Sequence, residues 1–207
     1  MILLPALVLL AQGFRIYPVD DTERDHTFKT FTAKLNKAAV KRDVKAFRKL
    51  CADDIVTGAG RKKDPEEKGW AAFVSRWRPS DPDTQLWEVI TDLLSLGSVR
   101  MHPRLYVAPY LVWKFPENLD PRRFLVLTRD QVILRTAPDR DSKAIAVLSF
   151  DVVEKLGEAP GEWTLVRVNG KQGFVQSQHL RSSLTPRAQF AQEPEGWRLV
   201  ALEVPQD

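Results

Sequence analysis

The sequence predicts an α+β protein: a mainly helical N-terminal region, then a small β-barrel, then a C-terminal β-hairpin. Three observations support this order. Before Gly97, apolar residues recur every three or four positions, which is typical of amphipathic helices. From Phe124 onward, short runs of β-branched residues alternate with turns, and no helical pattern separates them. The last two runs, 187–190 and 197–204, flank Glu193–Gly196, a turn sequence that predicts the hairpin.

The N-terminal region contains four predicted helices, each with its own start or stop signal. Thr22–Asp25 is a candidate capping box, and Asp43 is a candidate N-cap. Asp64–Glu67 combines a cap, a proline at the first helical position and an acidic first turn. The fourth helix opens near Asp83 and ends at Gly97. The residues expected to form the shared core are Phe28, Phe31, Leu35, Phe47, Leu50, Cys51, Trp70, Phe73, Trp77, Leu86, Trp87, Ile90 and Leu93.

The character of the chain changes in the segment that follows. Residues 105–115 are aromatic and β-branched and predict extended structure interrupted by Pro109. Pro116 and Asp120–Pro121 mark a domain boundary. Asn169–Gly170 is the strongest hairpin signal in the chain, because both residues tolerate positive φ. The predicted strands are 124–128, 131–135, 144–150, 152–156, 163–168 and 173–175.

Several spaced motifs occur within this strand-rich region. Residues 132–138 form a short strand with an arginine, followed by a small residue and a proline. A W-x-x-V pattern occupies 163–166, and G-x-x-G-[WF]-V-x-x-x-x-L occupies 170–180. Over residues 123–181 these motifs resemble a bacterial SH3-like (SH3b) domain, with Phe174 in place of the more common tryptophan. The resemblance implies a compact β-barrel whose role is contact rather than catalysis.

Strand residues of a small barrel alternate between interior and exterior. The interior is expected to contain Val132, Leu134, Val153, Leu165, Phe174 and Leu180. The candidate ligand-binding residues are Trp163, Phe174 and Arg135, the arginine of the motif. Exposed aromatic rings offer stacking area at a low entropic cost, which favours the first two. A core or edge position for Trp163 is the alternative interpretation.

The regions on either side of the barrel resemble the two ends of an NTF2-like domain, an α+β fold. The resemblance rests on Lys41–Asp43 with Cys51–Ile55 at the start and Gly196–Leu202 as a final strand. It implies a pocket protein that binds or converts a small molecule, with an apolar pocket near Trp70 and Trp77. The domain plan is a signal peptide at 1–13, a helical or α+β domain at 14–121, an SH3b barrel at 122–183, and a hairpin at 184–207 that packs on the N-terminal domain.

The first residues have the pattern of a secretory signal. Met1–Leu10 is an apolar stretch, and Ala11 and Gly13 fit the small-residue positions before a cleavage site. A buried N-terminal strand or helix is the alternative. No apolar run reaches the length needed to span a bilayer. We therefore expect an exported protein, either periplasmic or extracellular.

The net charge of +4 permits an anionic partner without requiring one. A basic helix face is expected from Lys41, Lys45, Arg48 and Lys49, and together with Arg61–Lys63 it can bind a polyanion. A solvated face of an amphipathic helix explains the same spacing. The sequence contains no recognition-helix or RNP pattern, so sequence-specific nucleic-acid binding is not expected.

The sequence offers no catalytic constellation. A Cys–His hydrolase needs a thiolate at a helix start beside a histidine base. Cys51 is instead expected near a helix end, and His102 is the nearest downstream histidine. With three histidines and one cysteine, neither a metal site nor a cofactor is expected. We expect a non-catalytic, exported binding protein that contacts cell-wall, peptide or protein ligands, with an NTF2-like pocket protein as the alternative.

Overall fold

The computed structural model describes residues 13–58 and 68–205, which form two compact units. The β unit comprises the chain up to Tyr17 together with Pro116–Ser183, and the mixed unit comprises Pro18–Phe115 together with the chain from Leu184 onward. Apart from Gly13, the predicted signal peptide lies outside the described residues, as do the basic loop and the predicted start of the third helix at 59–67.

Among the described residues, all five α-helices lie in the mixed unit. In chain order they are α1 (His26–Val40), α2 (Val44–Arg48), β1 (Cys51–Val56), α3 (Gly69–Trp77), α4 (Leu86–Ser95), β2 (Val99–His102), β3 (Leu105–Ala108), α5 (Tyr110–Lys114), β4 (Phe124–Leu127), β5 (Val132–Arg135), β6 (Ala144–Leu148), β7 (Val152–Ala159), β8 (Trp163–Val168), β9 (Lys171–Gln176), β10 (Leu180–Ser182), β11 (Arg187–Glu193) and β12 (Gly196–Glu203). Short 3-10 helices cover Thr22–Arg24 and Ser177–His179. No helix in the described part of the chain is both long enough and apolar enough to cross a bilayer.

The mixed unit has a five-stranded sheet of order β1-β12-β11-β3-β2. β1 runs parallel to β12, and the other neighbours are antiparallel. The C-terminal hairpin therefore supplies two inner strands of this sheet. Helix α1 packs on it through Phe28, whose ring stacks on Tyr106 with centroids 3.8 Å apart. The Trp197 indole donates a hydrogen bond to Oγ1 of Thr27 at 2.9 Å.

One local prediction in the mixed unit is wrong because long-range pairing overrides local pattern. Cys51 begins β1 rather than ending a helix, since this stretch pairs with β12 from the far end of the chain. Within the described residues, α3 begins at Gly69, after Lys68, which is extended and bridges Val56. The predicted mainly helical region is thus a layer of helices on a mixed sheet.

The segment 105–115 is extended only in its first half. Residues 105–108 form β3, but 110–114 form α5, so Trp113 and Phe115 do not share a strand face. Pro109, which has no backbone N–H, is the N-cap of this helix.

The seven strands of the β unit pair in the order β10-β4-β7-β8-β9-β5-β6, and every neighbouring pair is antiparallel. The predicted α+β plan with a separate β domain is confirmed, and the sheet is not closed, because among the described strands β10 and β6 each pair on one side only. Asn169 and Gly170, with φ of 49° and 74°, join β8 to β9 as the Asn-Gly pair predicts.

The interior of the β unit contains part of the expected core, and at the other expected positions the next residue in the chain is buried instead. Val166 and Val175 are fully buried there, whereas Leu165 and Phe174 lie on the opposite face. Successive side chains in a strand point to opposite faces, so a one-residue shift exchanges the two sets. The core cluster consists of Leu127, Val132, Leu134, Leu148, Val153, Val166, Val168, Val175 and Leu180.

The chain just after Gly13 belongs to the β unit. The backbone N–H of Ile16 donates to the carbonyl of Phe150 at 2.8 Å, and the N–H of Val152 donates to the carbonyl of Phe14 at 2.8 Å. The guanidinium of Arg15 pairs with the buried carboxylate of Asp151 at 3.4 Å. This segment is therefore held as a short extended piece beside the start of β7.

Candidate ligand groove

A groove of about 560 Å³ opens in the β unit where β5, β8 and β9 approach one another. Its walls come from the turn before β5, from β5 itself, from the loop between β5 and β6, and from the ends of β8 and β9. The lining residues are Arg129, Asp130, Gln131, Val132, Ile133, Arg135, Arg140, Trp163, Gln176, Gln178 and His179. Two of the three predicted ligand residues, Trp163 and Arg135, are therefore in the groove.

Trp163 forms a wall of the groove rather than an exposed platform, because only 6% of its surface is accessible. It begins β8 directly after Gly161 and Glu162, whose φ values are 70° and 64°. The backbone N–H of Ser177 donates to the Glu162 carbonyl at 2.8 Å and fixes this turn against the end of β9. Trp163 is thus a buried aromatic that also contributes to the groove surface, which combines the two interpretations of this residue.

Phe174 lies on the same face of the sheet as Trp163 but does not line the groove. Trp163 is opposite Gln176 across β8 and β9, and Phe174 is opposite both Leu165 and Arg135. Directly opposite residues share a face, so all five side chains are on one side of the sheet. Phe174 is half-buried one pleat away from the groove.

Arg135 shapes the loop that carries another groove arginine. Its Nη1 donates to the carbonyl oxygen of Ser142 at 2.6 Å. The Ser142 hydroxyl in turn donates to the carbonyls of Ala137 and Asp139 at 3.0 and 2.9 Å. This loop presents Arg140 to the groove, so the motif arginine has a positioning role in addition to lining the site.

Sequence reasoning missed a polar network across the groove. With the Gln176 amide oriented to satisfy its neighbours, its oxygen accepts from Nε and Nη2 of Arg140 at 3.0 and 3.1 Å. In the same orientation its nitrogen donates to Nε2 of His179 at 3.3 Å. These residues belong to three separate loops and strand ends, so no local spacing links them.

The lining side chains give the groove a positive character. Arg129, Arg135 and Arg140 face one acid, Asp130. The Asp130 carboxylate accepts hydrogen bonds from the N–H of Gln131 at 2.9 Å and from the hydroxyl of Ser149. Both of these bonds are to Oδ1 of Asp130.

The pKa of His179 depends on the same environment. Burial lowers the pKa of its imidazole, and the positive charges of Arg129 and Arg181 lower it further. A cationic imidazolium is disfavoured by desolvation and by nearby positive charge. The groove therefore favours a neutral His179, which can still donate or accept one hydrogen bond.

The other candidate sites from the sequence do not come together in the structure. β1 and β2 are the two edges of the mixed-unit sheet, so Cys51 and His102 are separated by about four strand spacings, roughly 19 Å. Burial raises the pKa of the Cys51 thiol to about 12, which removes its nucleophilic form at neutral pH. In the described part of the chain, no group of three or more His, Cys, Asp or Glu side chains is arranged to hold a metal ion.

The predicted basic face does not lie on one helix, because Lys41 is the C-cap of α1, whereas Lys45 and Arg48 belong to α2. The Arg48 guanidinium pairs with Asp53 and lies 5.1 Å from the centroid of the Trp70 ring. The side chains near the expected apolar pocket pack on one another: the Phe73 centroid lies 5.2 Å from that of Trp70 and 6.3 Å from that of Trp77.

Comparisons with known proteins identify one segment. A family model described as a bacterial SH3 domain matches residues 128–182. No curated protein and no solved structure matches the chain. The resemblance to NTF2-like domains is not confirmed. The matched segment contains every residue that lines the groove, and residues 128–182 of this chain are a bacterial SH3 domain.

Proposed function

We propose that this chain is a non-catalytic, exported binding protein whose SH3 domain holds an extended peptide, from the cell wall or from a protein, in the groove. Bacterial SH3 domains often bind peptide or cell-wall ligands. The observation that carries the proposal is the combination of an accessible apolar side chain, Ile133, with three side-chain amides in one groove. A peptide needs both, because its backbone requires hydrogen-bonding partners while its side chains require apolar contact.

The proposal of a non-catalytic role rests on the groove and on the cysteine. Among the described residues, Asp130 is the one acid that lines the groove, so the groove has no pair of carboxylates for general acid–base catalysis. Cys51 is buried, and its protonated thiol donates to the carbonyl of Phe47 at 3.4 Å. Binding without turnover is the expected behaviour.

The residues that follow the predicted cleavage site make backbone hydrogen bonds within the β unit, which supports the proposal of export. Cleavage after Gly13 releases a chain that begins with Phe14, and Phe14 is already bonded to the backbone of Val152. The segment that follows the signal thus has a place in the fold. Mass spectrometry of the chain purified from a bacterial host should find Phe14 as the first residue in the periplasmic fraction or the medium. An unprocessed N-terminus in the cytoplasmic fraction would contradict export.

Ligand binding is tested by co-sedimentation with purified peptidoglycan, in parallel with binding to an array of random peptides. The groove variant is Ile133→Ser, which removes a side chain that is 38% exposed. The matched control is Val147→Ser, the residue directly opposite on β6, which is 63% exposed and does not line the groove. Loss of the isoleucine contact should weaken binding about tenfold, whereas the control should bind like the wild type.

Two results would contradict the proposed function. One is a wild-type protein that neither sediments with peptidoglycan nor binds any peptide on the array. The other is equal binding by the wild type and Ile133→Ser. Binding to peptidoglycan without peptide binding, or the reverse, identifies which source supplies the ligand.

A further inference from the structure

We infer that the groove selects peptides that carry carboxylate groups, so that its ligand is an acidic peptide. This inference rests on the proposed function and specifies the ligand class. It follows from the arginines that line the groove, from their lack of acidic partners, and from the way one of them is held.

In the described part of the chain, the three groove arginines have no acidic partner, unlike Arg15, Arg123 and Arg167 of the same unit. Arg123 and Arg167 both pair with Glu154, at 2.5 and 3.1 Å. Among the described residues, no carboxylate forms an ion pair with Arg129, Arg135 or Arg140. The groove therefore concentrates positive charge that the protein does not neutralise with its own ion pairs.

Arg140 is oriented for an incoming carboxylate. With the Gln176 amide oriented to satisfy its neighbours, Nε and Nη2 of Arg140 donate to its oxygen, which fixes the plane of the guanidinium. A guanidinium has five N–H donors in a planar fork, so the side that carries Nη1 is left for a second acceptor. A carboxylate matches this geometry, and charge-assisted hydrogen bonds of this kind are about twice as strong as neutral ones.

Arg129 also contributes positive charge to the groove. It is exposed in the turn before β5, and its charge is one cause of the lowered pKa of His179. This effect shows that the field of Arg129 extends to the groove surface at the end of β9. The nearest acid in sequence, Asp130, is bonded to Gln131 and Ser149 and does not pair with Arg129.

An acidic residue next to an apolar one is the peptide that best fits these walls. Ile133 and Trp163 supply apolar surface, while Arg129 and Arg140 supply charge in the same groove. A neutral glycan fits less well, because it leaves the groove arginines without an anionic partner.

The test compares two degenerate peptide pools that are identical except that every glutamate in the first is glutamine in the second. The wild type should bind the glutamate pool about tenfold or more tightly than the glutamine pool, since carboxylates add charge-assisted hydrogen bonds. Arg129→Gln and Arg140→Gln should each reduce the preference for the glutamate pool over the glutamine pool about three- to tenfold. The matched control is Arg122→Gln, which removes an exposed arginine of the same unit outside the groove.

A parallel arm compares native peptidoglycan with peptidoglycan whose carboxylates have been amidated. Weaker sedimentation of the protein with the amidated material supports a wall peptide as the source. Tight binding of the glutamate pool with no sedimentation supports an acidic segment of a protein. Both results agree with a carboxylate ligand.

Several outcomes would overturn the inference. One is equal affinity for the two pools, which leaves peptide binding intact but shows that carboxylates are not selected. Another is a loss in Arg122→Gln as large as in Arg140→Gln, because the effect is then one of net charge. A single-stranded oligonucleotide that binds as tightly as the glutamate pool, with the same arginine dependence, would identify a phosphate site instead. Failure of both pools and of peptidoglycan would refute the proposed function itself.

Discussion

Replacing Gly173 with alanine should destabilise the SH3 domain, because no space exists for the added methyl group. A Cβ built at this position lies 2.5 Å from the carbonyl oxygen of Arg135, 2.8 Å from Cδ1 of Ile145 and 3.0 Å from Cγ of Leu134. The closest of these atoms belongs to backbone, so side-chain rotation does not relieve the contact. β9 must move away from β5, and overpacking of this kind costs about 1–3 kcal/mol.

The matched control is Gly157→Ala in β7, where an added Cβ has no atom within 4 Å. Alanine in this position reduces the entropy of the unfolded chain and should leave stability unchanged or raise it by about 0.4–1 kcal/mol. The difference between the two variants therefore isolates the contact between β9 and β5.

Hydrogen exchange measured by mass spectrometry suits this comparison, because peptides from β8 and β9 report on the SH3 domain alone. A loss of about 1–3 kcal/mol corresponds to exchange that is about 5 to 150 times faster in Gly173→Ala. Exchange within about twofold of the wild type would refute the argument, because it requires that the strands accommodate a methyl group without cost. The same variant should weaken ligand binding, since Arg135 and the groove lie on the displaced edge.

Three further outcomes follow from individual side chains. His179 has a pKa below its ordinary value of 6.5, so near that pH the unfolded chain binds more protons than the folded chain. The SH3 domain should therefore lose stability as pH falls below about 6.5. Thermal unfolding at a series of pH values should show this loss, and His179→Gln should reduce its dependence on pH. Asp25 caps α1 by accepting hydrogen bonds from the N–H groups of Thr27 and Phe28. Asp25→Ala should therefore lower the free energy of unfolding by about 1 kcal/mol in urea titrations. An unchanged urea midpoint would contradict a role for Asp25 as the cap. The Thr27 hydroxyl holds the pKa of Asp25 below its ordinary value, so this stabilisation should disappear as the carboxylate becomes protonated in acid. Cys51 should resist an aromatic disulfide reagent at about pH 8 until the chain is denatured, because burial raises the pKa of its thiol to about 12. Fast labelling of the folded protein would contradict this and show that β1 opens.

The local sequence pattern does not determine which face of β8 and β9 is buried. In 163–168 and 171–176, apolar residues occupy both alternating series, so either face of the hairpin fits a core by composition alone. The structure places Val166 and Val175 inside and leaves Leu165 and Phe174 on the face shared with Trp163. The choice depends on which face meets the remaining strands of the β unit, and that is a tertiary contact.

The sequence by itself determined the features that depend on neighbouring residues. The Asn169–Gly170 turn, the strands around it and the spacing that marks an SH3 domain all follow from short-range preferences for φ, side-chain branching and alternation. Only the tertiary structure decided what depends on residues far apart in the chain. Parallel pairing with β12 makes Cys51 a strand residue, and the meeting of separate loops places Arg129 and Arg140 around one groove. The physical reason is that pairing and charge convergence act between segments whose separation in sequence carries no local signal.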